Sequence, residues 1–312
     1  MGRHFSSYPF EVDDKQDAVI LKNHGTLKKK DASGSRTVSR KSKSIIWINN
    51  PQYRFDLTAL EHYNKLFLQD IPIFISSCSS ELAPYFKKKN FELIKVGKEA
   101  VLDLSRHHLK KKSIKELIRA GNRRGNVIEI RYSDENRTKL EEFKLECVHG
   151  SEPQLKHFFN DVFLPKNRFF VLQDINGTWL GGITIYCLES GSVRTDLILR
   201  RKNAPRGVME AVIKKIFDTL VNEGYKYWSL GEVPYIVYGS NPFSKEFFIN
   251  FTGRQLRFAY DYLGLYKFKN KFNPIWNDIY ICSRPKLKLI TLIKISWVSN
   301  LIKLVFKKML PN

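Results

Sequence analysis

The chain has 312 residues, 43% of them hydrophobic, which is enough for one or two folded cores and excludes an intrinsically disordered protein. Its 53 lysines and arginines outnumber 31 acidic residues, so the formal net charge is +22. Such an excess favours negatively charged partners: nucleic acid, anionic lipid or phosphorylated substrates. The four cysteines have neither zinc-site nor disulfide-framework spacing, so a reducing compartment and no metal are expected.

The N-terminal segment, residues 1–43, is polar and basic. Lys28, Lys29 and Lys30 precede a run of small residues, which indicates a flexible basic loop. A short helix is predicted near residues 17–22. The segment begins without the apolar stretch of a signal peptide, so a cytoplasmic location is expected.

Residues 44–135 mix short apolar runs with amphipathic stretches, which predicts a first α/β domain. Strands are predicted at 44–49, 71–76, 91–96, 99–104 and 127–132, and helices at 57–69, 80–89 and 113–121. A turn at Gly97 separates the third and fourth strands. In the last helix Ser113 is a candidate N-cap and Gly121 a candidate stop. The basic residues around that helix suit phosphates, although a solvated charged helix has the same composition.

Residues 136–283 predict a second α/β domain. It contains helices at 137–149 and 208–223 and strands at 168–173, 179–188, 192–199 and 227–230. The dipeptide Asn176-Gly177 predicts a hairpin between the first two strands. This order of elements is that of an N-acetyltransferase (GNAT) fold, in which two neighbouring parallel strands splay to form a cleft. The predicted fold class is therefore α/β (α+β), with tandem GNAT domains whose mixed sheets are flanked by helices.

The stretch 262–280 alternates Lys267, Lys269 and Lys271 with phenylalanines, a pattern typical of a half-buried strand. A row of lysines on its outer face suits an anionic partner. A solvated edge strand that uses lysines against aggregation is the alternative.

The tail, residues 284–312, has seven basic residues and no acidic one. Its pattern predicts a cationic amphipathic helix lying in an anionic lipid interface. Lys294, inside the apolar stretch, argues against a helix that spans the bilayer. A terminal helix packed on the domain is the alternative.

Five fragments together resemble the catalytic part of the bacterial phosphatidylglycerol lysyltransferases, the multiple peptide resistance factor family (DUF2156-like). They are Gly97-Lys-Glu-Ala-Val-Leu-Asp-Leu104, Ile118-Arg-Ala-Gly-Asn-Arg-Arg124, the run from Asp196-Leu to Ala204-Pro-Arg-Gly-Val-Met209, Gly224-Tyr with Ser229-Leu-Gly231, and Gly264-Leu with Phe268-Lys-Asn-Lys-Phe-Asn-Pro-Ile-Trp276. Their order and spacing cover residues 17–281. Together the fragments indicate the family more specifically than any one of them does alone.

The resemblance implies an enzyme that moves an amino acid, lysine in the family, from aminoacyl-tRNA to a lipid hydroxyl such as that of phosphatidylglycerol. Aminoacyl-tRNA is already an activated ester, so no covalent nucleophile and no cofactor are expected. The implied partners are aminoacyl-tRNA and an anionic phospholipid membrane. The implied location is peripheral, on the inner face of a bacterial cell membrane. The oligomeric state is left open.

By the same resemblance Asp196 is the candidate base or hydroxyl-orienting carboxylate. Arg200 and Lys269, together with Lys271, are candidates for phosphate and oxyanion contacts, and Arg206 with Gly207 for a phosphate at a helix start. The other candidate substrate-binding residues are Gly231, Glu232, Tyr266 and Lys267. A strand-end salt bridge of Asp196 with Arg194 or Arg200 is the alternative role for that carboxylate.

Three positions depart from the family pattern. Leu199 stands where the family has an arginine, so that the arginine is shifted by one residue to Arg200. Tyr266 also replaces an arginine, and Glu232 stands at a position that is usually apolar. These departures point to an altered choice of substrate. Two alternatives therefore accompany the first prediction: a GNAT-type transferase with another donor or a soluble acceptor, and an inactive module that binds RNA or anionic membrane.

Overall fold

A computed structural model describes residues 10–15, 18–23, 45–49, 72–156, 163–188, 191–237 and 241–310. The chain divides into two compact units. The first comprises Met1–Lys95 and Tyr280–Ile302, and the second Val96–Ile279 and Lys303–Asn312. Residues 96–135, which the sequence pattern assigned to the first domain, fall in the second of these units.

In chain order the described elements are β1 (Phe10–Lys15), β2 (Ala18–Asn23), β3 (Ile45–Asn49), β4 (Ile73–Ser79), α1 (Ala83–Lys88), β5 (Glu92–Asp103), α2 (Lys112–Asn122), β6 (Asn126–Ile130), α3 (Asp134–Glu146), β7 (Asn167–Gln173), β8 (Trp179–Cys187), β9 (Ser192–Arg200), α4 (Val208–Asn222), β10 (Tyr227–Pro234), α5 (Lys245–Gln255), α6 (Tyr262–Asn270), β11 (Ile275–Arg284), α7 (Leu289–Val298) and α8 (Leu301–Met309). A 3-10 turn, Leu256–Phe258, follows α5.

In the first unit, β1 pairs antiparallel with β2, and β2 pairs antiparallel with β3. Strand β3 then pairs parallel with β4. A hydrophobic core forms where β3 and β4 pack against α1, with Ile46, Ile75 and Phe86 almost fully buried. The helix predicted near residues 17–22 is wrong, since that stretch is strand β2. The helix predicted at 57–69 lies outside the described residues.

In the second unit the strands follow the order β5-β10-β9-β8-β7-β6. All neighbours are antiparallel except β9 and β10, which are parallel. The predicted hairpin is confirmed: β7 and β8 join through a turn in which Gly177 has φ +81°. Asp174 fixes this turn, because its Oδ1 accepts hydrogen bonds from the backbone N–H groups of Asn176 at 2.9 Å and Thr178 at 2.8 Å.

Strand β5 is continuous through Gly97, so the turn predicted there is wrong. The glycine instead allows the backbones of two neighbouring strands to approach closely. A Cβ atom at Gly97 would lie 2.5 Å from the backbone oxygen of Val233 on the neighbouring strand β10. Only a residue without a side chain permits that spacing.

Helices α2 and α4 also meet through two glycines. A Cβ on Gly121 would lie 2.3 Å from the backbone oxygen of Gly207, and a Cβ on Gly207 would lie 2.2 Å from that of Leu117. Gly207 is the N-cap of α4 and has φ +91°, a conformation that favours glycine. The inner face of α4, including Val212, Ile213 and Ile216, packs into the core of this unit.

The lysine-rich stretch 262–280 is not the predicted strand. Residues 262–270 form helix α6, and the strand β11 begins only at Ile275. Asp261 caps the helix, since its Oδ1 accepts a hydrogen bond from the backbone N–H of Gly264 at 3.0 Å. Pro274, which cannot donate a backbone hydrogen bond, separates helix from strand.

The tail forms two helices, α7 and α8, where the sequence predicted one. The helices are separated at Ser299 and Asn300, and Asn300 has φ +62°. Within the described residues, no single helix has the length and apolar composition needed to cross a membrane. Helices α7 and α8 reach that standard only as a pair, and they are bent by 75°.

Candidate active site

A β-bulge lies at the predicted base, Asp196. Across from β9, Thr184 of β8 pairs with Leu197 and Ile185 pairs with Thr195, so Asp196 is an extra residue in its strand. The backbone N–H of Leu197 donates to the hydroxyl oxygen of Thr184 at 3.0 Å. Bulges of this kind redirect a side chain and are frequent beside active sites.

A second bulge lies in the neighbouring strand β10. Ser229 pairs with Val101 and Glu232 with Glu99, so β10 has one residue more than β5 over the same distance. Gly231 in this bulge has φ +87°. The parallel pairing of β9 with β10 ends at Arg194 and Ser229, although both strands continue beyond it. The parallel pairing therefore stops where the sequence predicted that two strands splay, and the two bulges flank that position.

Lys269 of α6 extends its side chain to the bulge in β10. Only 3% of the residue is exposed, and Nζ donates a hydrogen bond to the backbone oxygen of Glu232 at 2.9 Å. A Cβ on Gly231 would lie 3.3 Å from that Nζ and 3.9 Å from the backbone oxygen of Thr195 on β9. Glycine at position 231 thus leaves room for the lysine between the two strands.

Two carboxylates and an arginine surround this lysine. Glu99 Oε1 accepts a hydrogen bond from the Ser229 hydroxyl at 2.5 Å, and that hydroxyl accepts one from the backbone N–H of Gly231 at 3.0 Å. Glu232 Oε1 lies 3.4 Å from Arg194 Nη2. The loop of the bulge is therefore fixed by side chains from β5, β9 and β10.

Burial lowers the pKa of Lys269 to about 7. Desolvation is the largest cause, and the positive charge of Arg194 acts in the same direction. The carboxylates of Glu232 and Glu99 oppose the shift without cancelling it. At neutral pH the side chain therefore exists in both its charged and its neutral form, which is uncommon for a lysine.

Asp196 is buried, and its Oδ2 accepts a hydrogen bond from Asn167 Nδ2 at 2.8 Å. Asn167 Oδ1 in turn accepts one from the backbone N–H of Leu164 at 3.1 Å. On the other side of the bulge, Thr195 Oγ1 accepts from Trp228 Nε1 at 3.0 Å. The carboxylate is consequently held in one orientation by a buried amide.

Arg206 lies apart from Lys269, in an open cleft of about 620 Å³ before the start of α4. Arg123 and Arg124 at the end of α2 line the same cleft, together with Ala120 and Pro205. The sequence predicted a phosphate contact for Arg206 and, separately, basic residues suited to phosphates around the helix at 113–121. The structure adds two guanidinium groups to Arg206, next to the positive end of the α4 dipole.

The remaining predicted residues are dispersed. Arg200 Nη2 donates to the backbone oxygen of Ala204 at 2.6 Å, which braces the loop that leads to α4. Lys271 Nζ lies 2.9 Å from Glu210 Oε1, in the first turn of α4. Tyr266 packs on Trp276 with ring centroids 5.0 Å apart. Lys267 is exposed.

His108, between β5 and α2, was not identified from the sequence as a site residue. Its Nδ1 lies 3.1 Å from the backbone oxygens of both Phe272 and Asn273, and its Nε2 lies 2.9 Å from that of Asp103. The ring joins the end of β5 to the turn after α6. It thereby fixes the C-terminal end of the helix that carries Lys269.

The Lys269 and Asp196 side chains are of the kinds that acyl transfer uses. A buried ammonium group can stabilise an oxyanion, and an oriented carboxylate can accept a proton from a hydroxyl. Among the residues that the structure describes, no group of three or more His, Cys, Asp and Glu side chains is placed to hold a metal ion.

The chain is similar to known proteins in sequence and in fold. A phosphatidylglycerol lysyltransferase of Bacillus subtilis (strain 168) is 24% identical over 247 residues, which are 75% of this chain and 29% of the relative. The chain thus spans less than a third of that relative's length.

Two solved structures share the fold. L-PGS from Bacillus licheniformis superposes with a TM-score of 0.66 at 18% identity, over 95% of this chain and 89% of that chain. The C-terminal domain (DUF2156) from Agrobacterium fabrum gives a TM-score of 0.60 at 17% identity, over 94% and 88%. The predicted fold class, α/β of the tandem GNAT type, is confirmed. Residues 57–283 match the model of the family described as phosphatidylglycerol lysyltransferase, C-terminal, and the chain therefore belongs to that family.

Proposed function

We propose that this protein transfers an amino acid from aminoacyl-tRNA to a hydroxyl group of a phospholipid such as phosphatidylglycerol. The observation that carries the proposal is Lys269, a buried lysine whose Nζ lies at the bulge of β10 beside the end of the β9–β10 pairing. The family to which the chain belongs and its relatives' names support lysine as the amino acid and phosphatidylglycerol as the acceptor.

In the proposed reaction the lipid hydroxyl oxygen attacks the carbonyl carbon of the aminoacyl ester. A new ester bond forms, the bond to the tRNA ribose oxygen breaks, and the ribose oxygen leaves with a proton. Asp196, oriented by Asn167, accepts the proton of the attacking hydroxyl. The ammonium form of Lys269 stabilises the oxyanion of the tetrahedral intermediate. An activated ester needs no covalent enzyme intermediate.

The donor would bind along the arginine cleft. Arg123, Arg124 and Arg206 present three guanidinium groups toward one open volume, and guanidinium groups match phosphate oxygens in geometry and charge. The net charge of +22 favours both a polyanionic donor and an anionic membrane as the place of reaction. We place the protein at the inner, cytoplasmic surface of the cell membrane, where both substrates meet.

The test supplies the full chain with phosphatidylglycerol vesicles and radiolabelled aminoacyl-tRNAs, one amino acid at a time. Label is expected in the lipid fraction with lysyl-tRNA. Asp196→Asn should abolish it, whereas Glu142→Gln, which removes an exposed acid on α3, should not. If every aminoacyl-tRNA leaves the lipid unlabelled, the proposal is wrong, and the RNA- or membrane-binding alternative takes its place.

A further inference from the structure

Helix α7 of the first unit presents an apolar stripe to solvent. Leu289, Ile290, Ile293 and Trp297 are 63%, 55%, 47% and 40% exposed. They follow one another at helical spacing and so form one face, which we name the α7 face. Four large apolar side chains on one face of one short helix are more than the scattered single residues of an ordinary surface.

The opposite side of the same helix is packed. Lys294, Ile295 and Val298 are buried there. Immediately before the helix, Leu287 is buried and its backbone N–H donates to Glu92 Oε2 at 2.6 Å. The helix is therefore fixed to its unit along one side, and the α7 face is what that folded unit displays.

The charge beside the stripe identifies the partner. Lys286 and Lys288, both exposed, stand directly before the α7 face, and the chain has no acidic residue from 284 to its end. Apolar side chains bordered by cations, with a tryptophan among them, match the boundary between acyl chains and anionic headgroups. An RNA would be bound by the cations without any use for the apolar stripe.

We infer that the α7 face docks the protein on an anionic lipid bilayer, with the helix lying in the interface and not spanning it. Helix α8 has a similar composition, with exposed Phe306 and Met309 beside Lys307. The inference goes beyond the proposed reaction, since docking needs neither tRNA nor catalysis. It also supplies what that reaction requires, a site held near a lipid acceptor.

The experiment is flotation of the full chain with vesicles, in the absence of tRNA. Wild-type protein should float with phosphatidylglycerol/phosphatidylethanolamine vesicles and far less with phosphatidylcholine vesicles. The double variant Ile290→Asp/Ile293→Asp should weaken vesicle binding by about tenfold or more. The new carboxylates are costly to bury in lipid, and the anionic headgroups repel them. Lys286→Gln and Lys288→Gln should each weaken it about fivefold, only on anionic vesicles. The matched control is Ile175→Asp, at a 96% exposed turn position.

Three results would overturn the inference. Unchanged flotation of Ile290→Asp/Ile293→Asp would show that the α7 face does not bind lipid. Resistance of bound protein to high salt and alkaline carbonate would indicate a bent pair of inserted helices. A change in the oligomeric state of this variant, measured by light scattering, would indicate that a second copy of the chain covers the face.

Failure of docking is distinguishable from failure of the proposed reaction. Transfer to a short-chain phosphatidylglycerol, dissolved as monomers, does not require a membrane surface. The Ile290→Asp/Ile293→Asp variant should retain wild-type transfer to that acceptor and lose transfer to vesicles. If it loses both to the same extent, the stripe serves folding or the active site, and the docking role is wrong.

Discussion

Lys269 Nζ donates a hydrogen bond to the backbone oxygen of Glu232 at 2.9 Å. This contact joins α6 to the bulge of β10, next to the point where the parallel pairing of β9 with β10 ends. The buried amine of Lys269 therefore lies against β10, at Glu232, whose carboxylate pairs with Arg194. A buried lysine is costly unless its hydrogen-bonding capacity is used, so a function is the simplest reason for its position.

Removal of that amine is the most direct prediction. Lys269→Met should lower the rate of aminoacyl transfer by about 100-fold or more, the usual effect of losing one oxyanion donor. The free energy of unfolding should stay the same or rise by up to about 2 kcal/mol, because an apolar side chain of similar volume replaces a buried amine. Rate assays and urea titration measure the two effects. Lys215→Met, at an exposed position of α4, should leave both unchanged, and equal losses in the two variants would contradict the assignment.

The pH dependence follows from the lowered pKa of Lys269, about 7 against an ordinary 10.5. If the ammonium form stabilises the oxyanion, kcat/KM should fall as the pH rises through about 7. Lys269→Arg keeps its charge and should shift this fall to higher pH, even if its maximal rate is lower. Rates must be corrected for spontaneous hydrolysis of the aminoacyl ester, measured without protein. If the wild-type rate instead rises with pH through this range, Lys269 acts as a base.

The same pKa also predicts a stability effect. Between pH 7 and 10.5 the unfolded chain retains the Lys269 proton and the folded chain has lost it. For this group the unfolded state then binds more protons, so the contribution of Lys269 to the unfolding free energy rises with pH over this window. The difference in unfolding free energy between wild type and Lys269→Met, measured at several pH values, isolates this contribution. A difference that does not vary with pH would show that the pKa is not lowered.

Alanine substitutions at two glycines with similar backbone conformations test the close packing of α2 on α4. Gly207 has φ +91° and would place a Cβ 2.2 Å from the oxygen of Leu117, whereas Gly224 has φ +79° and open space around it. Gly224→Ala should cost about 1 kcal/mol of unfolding free energy from the backbone alone. Gly207→Ala should cost roughly 2 kcal/mol more, because backbone must move to admit the methyl group. Equal costs in urea titrations would show that the helices do not need this close approach.

Most strands and helices of the second unit could be predicted, because local signals such as Asn176-Gly177 and the periodic face of α4 agree with the fold. The stretch 262–280 was mispredicted as a strand, because its alternating lysines were all assumed to be exposed. One of the three lysines is buried instead. Lys269 is that residue, and its burial depends on a bulge in β10, distant in sequence. Tertiary contacts of this kind leave no mark on local periodicity.

The candidate site was predictable only in part. Asp196, Gly231 and Lys269 carry the resemblance to the family, whereas Glu232 departs from it, and the structure distributes Arg200 and Lys271 to other contacts. Glu99 was missed as a site residue, because β5 carries other charged side chains, such as Lys95 and Lys98, and its burial does not stand out in the sequence. Its role follows from the register with β10, which sequence alone does not reveal.

The arginine cleft yields the last prediction. Arg124→Ala should weaken binding of tRNA and reduce the slope of log K against log salt by about one, as expected when one phosphate contact is lost. Arg257→Ala removes the same charge from an exposed arginine that pairs with Asp261 on the surface, and it serves as the control. Filter binding across a series of salt concentrations measures both slopes. Equal slopes in the two variants would mean that net charge alone attracts the tRNA and that Arg123, Arg124 and Arg206 form no specific phosphate site.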